Sequence, residues 1–165
     1  MFDKFGEFNS VQELNETAER LKAEGNEAEL IALAQENGID KEDAEDYMDG
    51  CAQELATPLM AAVGKLTLEA KEYKLDGALK DWVDELIEMC SESPDMAAGV
   101  RKKGKGLDDY IALLAEEGYK NRCEVDKRIV AKAPTVKKII GNHPFSIGIA
   151  DRKRRREIAR EYYLK

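Results

Sequence analysis

The first fifty residues place short apolar stripes between glycine turns. Apolar side chains recur every three or four positions, which is the spacing that predicts amphipathic helices. The polar residues at the start of each stripe are typical N-terminal caps, and a glycine follows each stripe. We therefore predict a helix over 11–24, a second from Asn26 to Asn37, and a third, short helix after Asp40 that ends at Gly50.

Longer apolar stripes follow in the middle of the chain. Thr57-Pro58 places a proline at the first position of a helix that continues to about Lys74. The stretch from Leu79 to Cys90 repeats the pattern of a helix packed into a core, and we expect Trp82, the largest apolar side chain, at the core's centre. Three further helices are predicted: a short one opened by Pro94, one over 107–121, and one capped by Asp126.

The pattern changes near the C-terminus. Between Thr135 and Ile149, isoleucines are interrupted by glycine and proline, which favours extended or looped backbone and allows a small β-hairpin. A basic helix is predicted over 151–164, with its apolar residues turned towards the body of the protein. The fold class we predict is mainly α, a multi-helix bundle of short helices.

We also predict a boundary between Gly50 and Thr57. It separates a small, acidic helical unit, residues 1–50, from a larger helical body, residues 55–165, that ends in the basic helix.

Charge is sorted along the chain. Residues 1–97 hold 25 Asp and Glu against 8 Lys and Arg, whereas residues 98–165 hold 18 Lys and Arg against 9 Asp and Glu. Folding does not require such segregation, which mainly shapes the long-range electrostatic field. An acidic surface attracts basic grooves and a basic one attracts phosphate, so the pattern favours binding over catalysis.

The remaining chemistry is sparse. Cys51, Cys90 and Cys123 are widely spaced, which predicts reduced thiols in a cytoplasmic protein. No metal ligand set and no cofactor motif is visible, so we expect neither a metal nor a cofactor. The opening residues MFDKFGEF do not resemble a secretory signal, and no apolar run is long enough for a membrane span.

No enzyme motif is visible either. The single histidine, His143, stands beside a proline in a loop-like stretch, without a serine or cysteine in a triad-like signature. We expect no catalytic residues.

Three charged clusters are candidate binding residues. The first is the acidic cluster of the third helix; an EF-hand loop is excluded because the alternating acids and central glycine are missing. It is either a solvated face or a partner-binding surface, and comprises Glu42, Asp43, Glu45, Asp46 and Asp49.

The second is the basic turn that contains Arg101, Lys102, Lys103 and Lys105. It is either a capped helix end or a contact with phosphate or with a partner's acidic patch.

The third cluster is the basic run Arg152, Lys153, Arg154, Arg155 and Arg156. Five consecutive residues surround a helix, so one buried face cannot hide them. They are solvated, paired with the acidic half of the chain, or bound to a polyanion.

A family resemblance adds a further expectation. Residues 95–111, DMAAGVRKKGKGLDDYI, and residues 125–130, VDKRIV, resemble the PcfK-like family encoded on conjugative elements. The likeness is clearest over 79–132, and the opening MFDKFGEF and closing EYYL resemble longer members. Some members of that family are described as anti-CRISPR inhibitors of the type II RNA-guided DNA nuclease. The family offers no catalytic residues.

The resemblance implies a protein that binds a CRISPR effector nuclease and blocks DNA binding or cleavage. We expect the acidic cluster to be the contact surface, with the basic turn as a second contact. The alternative is a nucleic-acid-binding accessory protein of a mobile element. It would contact phosphates through Arg152 to Arg156, Arg101 to Lys103 and Lys137-Lys138.

Overall fold

The protein is mainly α-helical, as predicted. A computed structural model describes residues 3–165, so Met1 and Phe2 of the opening motif lie outside the described residues. The helices are α1 (Val11–Ala23), α2 (Glu27–Glu36), α3 (Lys41–Met48), α4 (Pro58–Glu72), α5 (Ala78–Glu92), α6 (Pro94–Arg101), α7 (Leu107–Lys120), α8 (Lys127–Val130), α9 (Pro134–Ile140) and α10 (Arg152–Tyr163). Two short strands, β1 (Cys123–Glu124) and β2 (Ser146–Ile147), pair antiparallel.

Side-chain caps explain where several helices begin. The Glu13 amide donates to Ser10 Oγ over 3.2 Å at the start of α1, and the Glu13 carboxylate accepts from the Asn9 amide over 2.8 Å. Thr57 Oγ1 accepts from the Met60 amide over 3.2 Å at the start of α4. These bonds satisfy amides that have no partner within their own helix. The capping residues Ser10 and Thr57 therefore mark the N-termini of α1 and α4, as the sequence predicts.

Two clusters of buried apolar residues form the interior. The smaller one joins α1, α2 and α3, with Leu14, Leu30 and Leu33 fully buried. The larger one joins α4, α5, α6, α7 and α10. Helix α4 serves both clusters, because Ala61 belongs to the smaller and Leu66 to the larger. The predicted division of the chain into two units stays a prediction.

Trp82 does not occupy the centre of a core, contrary to our expectation. Its side chain is half-buried and packs against the edge of the larger cluster, where the Arg155 guanidinium lies 5.9 Å from the ring centroid. The centre is formed instead by Leu86, Tyr110 and Tyr163, each at most 1% exposed. An indole is large and carries a polar N–H, so an edge position with one face on a cation suits it well.

The segment over 135–149 also differs from the prediction. Residues 134–140 form helix α9, with Pro134 at its first turn and Gly141 after its end at φ 60°. A small sheet does form, but its first strand is Cys123–Glu124, upstream of that segment. Gly141, one of the residues that interrupt the isoleucines in the sequence, ends a short helix instead of separating extended segments.

A close glycine contact joins α2 to α4. The backbone at Gly38 lies directly against Gly64, so that a Cβ on Gly64 would come within 2.9 Å of the Gly38 carbonyl oxygen and still closer to that of Asn37. Gly38 also has φ +70°, which disfavours any side chain. The approach of the two helices therefore requires glycine at both positions.

We expect Gly64→Ala to lower the free energy of unfolding by about 1–3 kcal/mol, because the new methyl group meets backbone atoms that cannot rotate away. Urea denaturation followed by circular dichroism measures the change. Thr67→Ala, an exposed substitution in the same helix, is the control and is expected to change stability by less than about 0.5 kcal/mol. Equal stabilities of the two variants would contradict the proposed contact.

Candidate partner-binding surfaces

The acidic cluster lies on α3 and faces outwards. Helix α3 turns Ala44 and Tyr47 into the smaller core, so the intervening carboxylates point away from it. Glu42, Asp46 and Asp49 are exposed, while Asp43 and Glu45 are half-exposed. Within residues 3–165, Glu45 forms an ion pair with Lys41, and the other four carboxylates form none. The structure thus gathers the five predicted residues on one short helix.

The charges of α3 favour its first turn, which contains Glu42 and Asp43, but not its last. Its last turn contains no basic residue, although the carbonyl ends of a helix favour cations. Within residues 3–165, the only cation that contacts those carbonyls is Lys22 of α1. Its Nζ donates to the Tyr47 carbonyl and lies 4.3 Å from the Tyr47 ring centroid. Unpaired carboxylates at this helix end repel one another. The last turn of α3 therefore carries negative charge that no cation of its own helix end balances.

Arg101 is part of the interior, and its prediction as a surface contact is wrong. The side chain is 1% exposed and lies between the two cores. Its Nη2 donates to Asn37 Oδ1 over 2.7 Å, and the guanidinium is 5.7 Å from the Phe8 ring centroid. Burial lowers the Arg101 pKa from its ordinary value, because desolvation penalises the charged form. Sequence alone does not reveal this, since the partners are 64 and 93 residues away.

A buried lysine holds the rest of the basic turn in place. Lys65 Nζ donates to the carbonyl oxygens of Lys102 and Lys105, over 2.9 and 3.1 Å, and lies 2.7 Å from the Glu7 carboxylate. Glu7 in turn accepts from the Gly104 amide over 3.0 Å. The turn is therefore fixed from the inside by Lys65 and from the outside by Glu7.

Two lysines of the turn remain exposed. Lys102 and Lys103 project into solvent, whereas Lys105 is half-buried and donates to the Tyr162 carbonyl over 2.7 Å. Of the four predicted residues in the turn, the structure therefore leaves Lys102 and Lys103 available to a partner.

Glu69 caps α7 from inside the protein. Gly106 precedes α7 and has no side chain to cap it, and Glu69 Oε2 accepts from the Leu107 amide over 2.8 Å instead. Glu69 also lies 3.8 Å from Lys65 Nζ. The Glu69 pKa is raised to about 7, mainly because burial penalises the charged form. The Lys65 charge and the hydrogen bond from the Leu107 amide lower the pKa by less, and the charges of Glu7 and Asp108 raise it further.

The basic run on α10 is neutralised by the protein itself. Helix α5 presents Glu85, Glu88 and Glu92 at helical spacing towards α10. Arg155 Nη2 lies 2.7 Å from Glu85, and Arg156 contacts both Glu88 and Glu92. Three glutamates of one helix thus meet the arginines of another.

The remaining members of the run divide. Arg152 contacts Glu85 and Glu88, and Arg154 lies 3.0 Å from Glu117 of α7. Lys153 is exposed and forms no ion pair within the described part of the chain. Of the alternatives that the sequence left open, pairing with the acidic half of the chain describes three of the five cations, Arg152, Arg155 and Arg156. Arg154 pairs instead with acids of the basic half. The spacing of the three α5 glutamates, at positions 85, 88 and 92, is the sequence signal that indicates the pairing between α5 and α10.

The other candidate groups are dispersed. His143 is exposed in the loop between α9 and β2. Cys51 and Cys123 are exposed thiols, and burial raises the pKa of the Cys90 thiol to about 12. Over residues 3–165, no three histidine, cysteine or acidic side chains are grouped as a metal site, and no helix has the length and apolar character to cross a membrane.

Comparison with known proteins gives no assignment. The chain matches no family model, no curated protein and no solved structure.

We expect the stability of the protein to depend on pH through Glu69. The folded carboxyl has a pKa near 7 and the unfolded one an ordinary pKa near 4.5, so the folded state binds the proton more tightly. The Glu69 contribution to stability is therefore greatest below about pH 4.5 and declines until about pH 7, by on the order of 3 kcal/mol.

Urea denaturation of wild type and Glu69→Gln over this pH range measures that contribution. The variant has no ionisable group at position 69. Its free energy of unfolding should therefore rise relative to that of the wild type as the pH rises to 7, and the difference should stay constant above pH 7. Glu72→Gln, an exposed change one turn along α4, is expected to leave the wild-type profile intact. A Glu69→Gln profile parallel to wild type would refute the assignment.

We also expect Asp46→Asn with Asp49→Asn to stabilise the fold. Removing two charges from the C-terminal end of α3 relieves repulsion with the helix carbonyls, which is worth about 0.3–1 kcal/mol at low salt. Thermal denaturation at low and high salt measures the gain, which should shrink as salt screens it. A loss of stability would mean that these carboxylates have a structural role.

Proposed function

We propose that this protein is an inhibitor that binds a type II RNA-guided DNA nuclease and prevents DNA binding or cleavage. The observation that carries the proposal is the α3 surface, where four of five carboxylates lack an ion pair within residues 3–165. The likeness of residues 79–132 to the PcfK-like family supplies the class of target. The activity is binding, not catalysis, and takes place in the cytoplasm, where such a nuclease works.

Electrostatics gives the mechanism. An RNA-guided nuclease holds its nucleic acids in a positively charged channel. Glu42, Asp46 and Asp49 follow one another at about one helical turn, so their carboxylates present negative charge in a row suited to sites that hold phosphates. Charge of this kind accelerates association and makes it sensitive to salt. The inhibitor would compete with DNA for the channel.

The basic turn supplies a second contact. Lys102 and Lys103 are exposed on a loop that Lys65 and Glu7 hold rigidly. A rigid loop loses little conformational entropy on binding, so even two lysines contribute. Arg101 is left out of this contact because it is buried.

The alternative is a nucleic-acid-binding accessory protein of a mobile element. Exposed cations, among them Lys137, Lys138 and Lys153, favour it. The ion pairs between α10 and α5 speak against it, since DNA would have to displace Glu85, Glu88 and Glu92 from the arginines.

Binding measurements distinguish the two functions. The purified protein is titrated against the nuclease–guide complex and, separately, against duplex DNA across a salt series. We expect binding to the nuclease and not to DNA. The triple variant Glu42→Gln, Asp46→Asn, Asp49→Asn should weaken nuclease binding by about tenfold or more, because it removes the charges that meet the channel.

The matched control removes three exposed acids from the helical body: Glu72→Gln, Asp81→Asn and Glu116→Gln. It changes the net charge equally and should bind as wild type does. Equal weakening by both triples would mean that net charge alone acts, and would refute the α3 site. Steeply salt-dependent DNA binding that is lost on neutralising Arg152 to Arg156 would favour the accessory protein instead.

A further inference from the structure

The stretch between α7 and α10 contains several exposed aliphatic side chains. We refer to residues 122–149 as the aliphatic segment. Ile129, Ile139, Ile147 and Ile149 are each 52–78% exposed, and within residues 3–165 every exposed isoleucine lies in this segment. Clustered exposed apolar side chains mark interaction sites more often than isolated ones do.

The aliphatic segment has almost no core of its own. Val130 is its one buried hydrophobic residue within the described chain, and no residue of 115–157 belongs to either core cluster. The segment is closed at its base by the pairing of Cys123 with Ile147 and by the backbone of Gly148 against Gly118. The backbone of the segment is therefore held to the helical body, while its isoleucine side chains are exposed to solvent.

The aliphatic segment is also positively charged. It contains six Lys and Arg against two acids, and one of those acids, Asp126, pairs with Arg128 over 2.8 Å. Lys127, Lys132 and Lys138 are exposed and form no ion pair within residues 3–165. A ligand for this surface must therefore bring negative charge as well as apolar groups.

A groove in the aliphatic segment combines apolar and charged side chains, although none of the four exposed isoleucines lines it. It has a volume of about 180 Å³ and lies between β1, α8, α9 and the loop before β2. Its apolar side chains include Val130, Ile140 and Phe145. Its charged side chains are Lys127, Lys137 and Glu124, so the lysines outnumber the acid. A groove with apolar side chains in its walls and lysines at its edge accepts a large apolar side chain flanked by carboxylates.

The alternatives fit only one of these features. A second copy of this chain offers an acidic surface on α1 to α3, yet residues 3–56 expose no large hydrophobic side chain. Two aliphatic segments facing each other would match apolar groups but would repel by charge. A nucleic acid backbone satisfies the lysines but offers no apolar side chain to Val130, Ile140 and Phe145 of the groove.

We propose that the groove of the aliphatic segment binds an acidic segment of a partner protein, with one large apolar side chain of that partner inserted as the anchor. The site is separate from the α3 surface, so it stands whether or not the nuclease is the target of α3. The triple neutralisation of α3 should leave binding at the groove unchanged.

A display selection tests the proposal. Random peptides of about twelve residues, a length that spans such a groove, are selected against the full-length protein. We expect the enriched peptides to be acidic and to share a large apolar residue. Lys127→Glu should weaken their binding by about tenfold because it reverses the rim charge, and Ile140→Ala should weaken it similarly because it removes a wall of the pocket.

Matched controls accompany both variants. Lys103→Glu makes the same charge change on the basic turn, and Leu164→Ala removes an exposed apolar side chain near the chain end; neither should affect the selected peptides. Circular dichroism establishes that Ile140→Ala folds, and Lys127→Glu, at an exposed site, provides an independent test.

Three outcomes would overturn the proposal. They are the absence of any enriched peptide, enrichment of basic or uncharged peptides, and binding that Lys127→Glu and Ile140→Ala leave unchanged. DNA, single- or double-stranded, could also displace the selected peptides and bind more tightly than they do. That result would assign the aliphatic segment to nucleic acid instead.

Discussion

The buried ammonium of Lys65 is the constraint around which the two cores are arranged. It is 1% exposed and contacts Glu7 from the N-terminal segment, Glu69 from its own helix, and two carbonyls of the basic turn. A charge taken out of water is strongly unfavourable unless hydrogen bonds and opposite charges surround it. Each of these segments must therefore be in place for Lys65 to be tolerated. The basic turn, which the sequence offers as a phosphate site, is largely a part of this internal network.

The charge asymmetry of the sequence is only partly retained on the surface. Three arginines of α10 pair with glutamates of α5, so part of the C-terminal excess of positive charge is balanced within the chain. The carboxylates of α3 have no such counterpart, because no ion pair links α3 to α10 or to the basic turn within residues 3–165. Exposed ion pairs contribute only about 0–1 kcal/mol each. The pairing therefore matters more for what the surface presents to other molecules than for stability.

Local signals predicted the helices well, and tertiary contacts decided the rest. Capping residues and glycines gave the limits of α1 to α7 because those signals act within a few residues. The burial of Arg101 depends on Asn37 and Phe8, far away in sequence, and the edge position of Trp82 depends on Arg155. For the candidate site, exposure of the α3 carboxylates followed from the sequence, whereas pairing of the α10 arginines required knowing which helix lies beside them.

The glycine crossing at Gly118 and Gly148 has a consequence for how this protein can diversify. The chain leaves the helical body after Gly118 and returns to it at Gly148, where the two backbones are in contact. The residues between them therefore form a cassette, a segment inserted into the helical body at one place. Helix α10 is seated by its own contacts with α5 and α7, independently of the cassette's length or composition. Loops anchored in this way tolerate exchange, whereas the scaffold beneath them does not. We therefore expect changes of sequence in that stretch to disturb the helical body less than changes within the two cores.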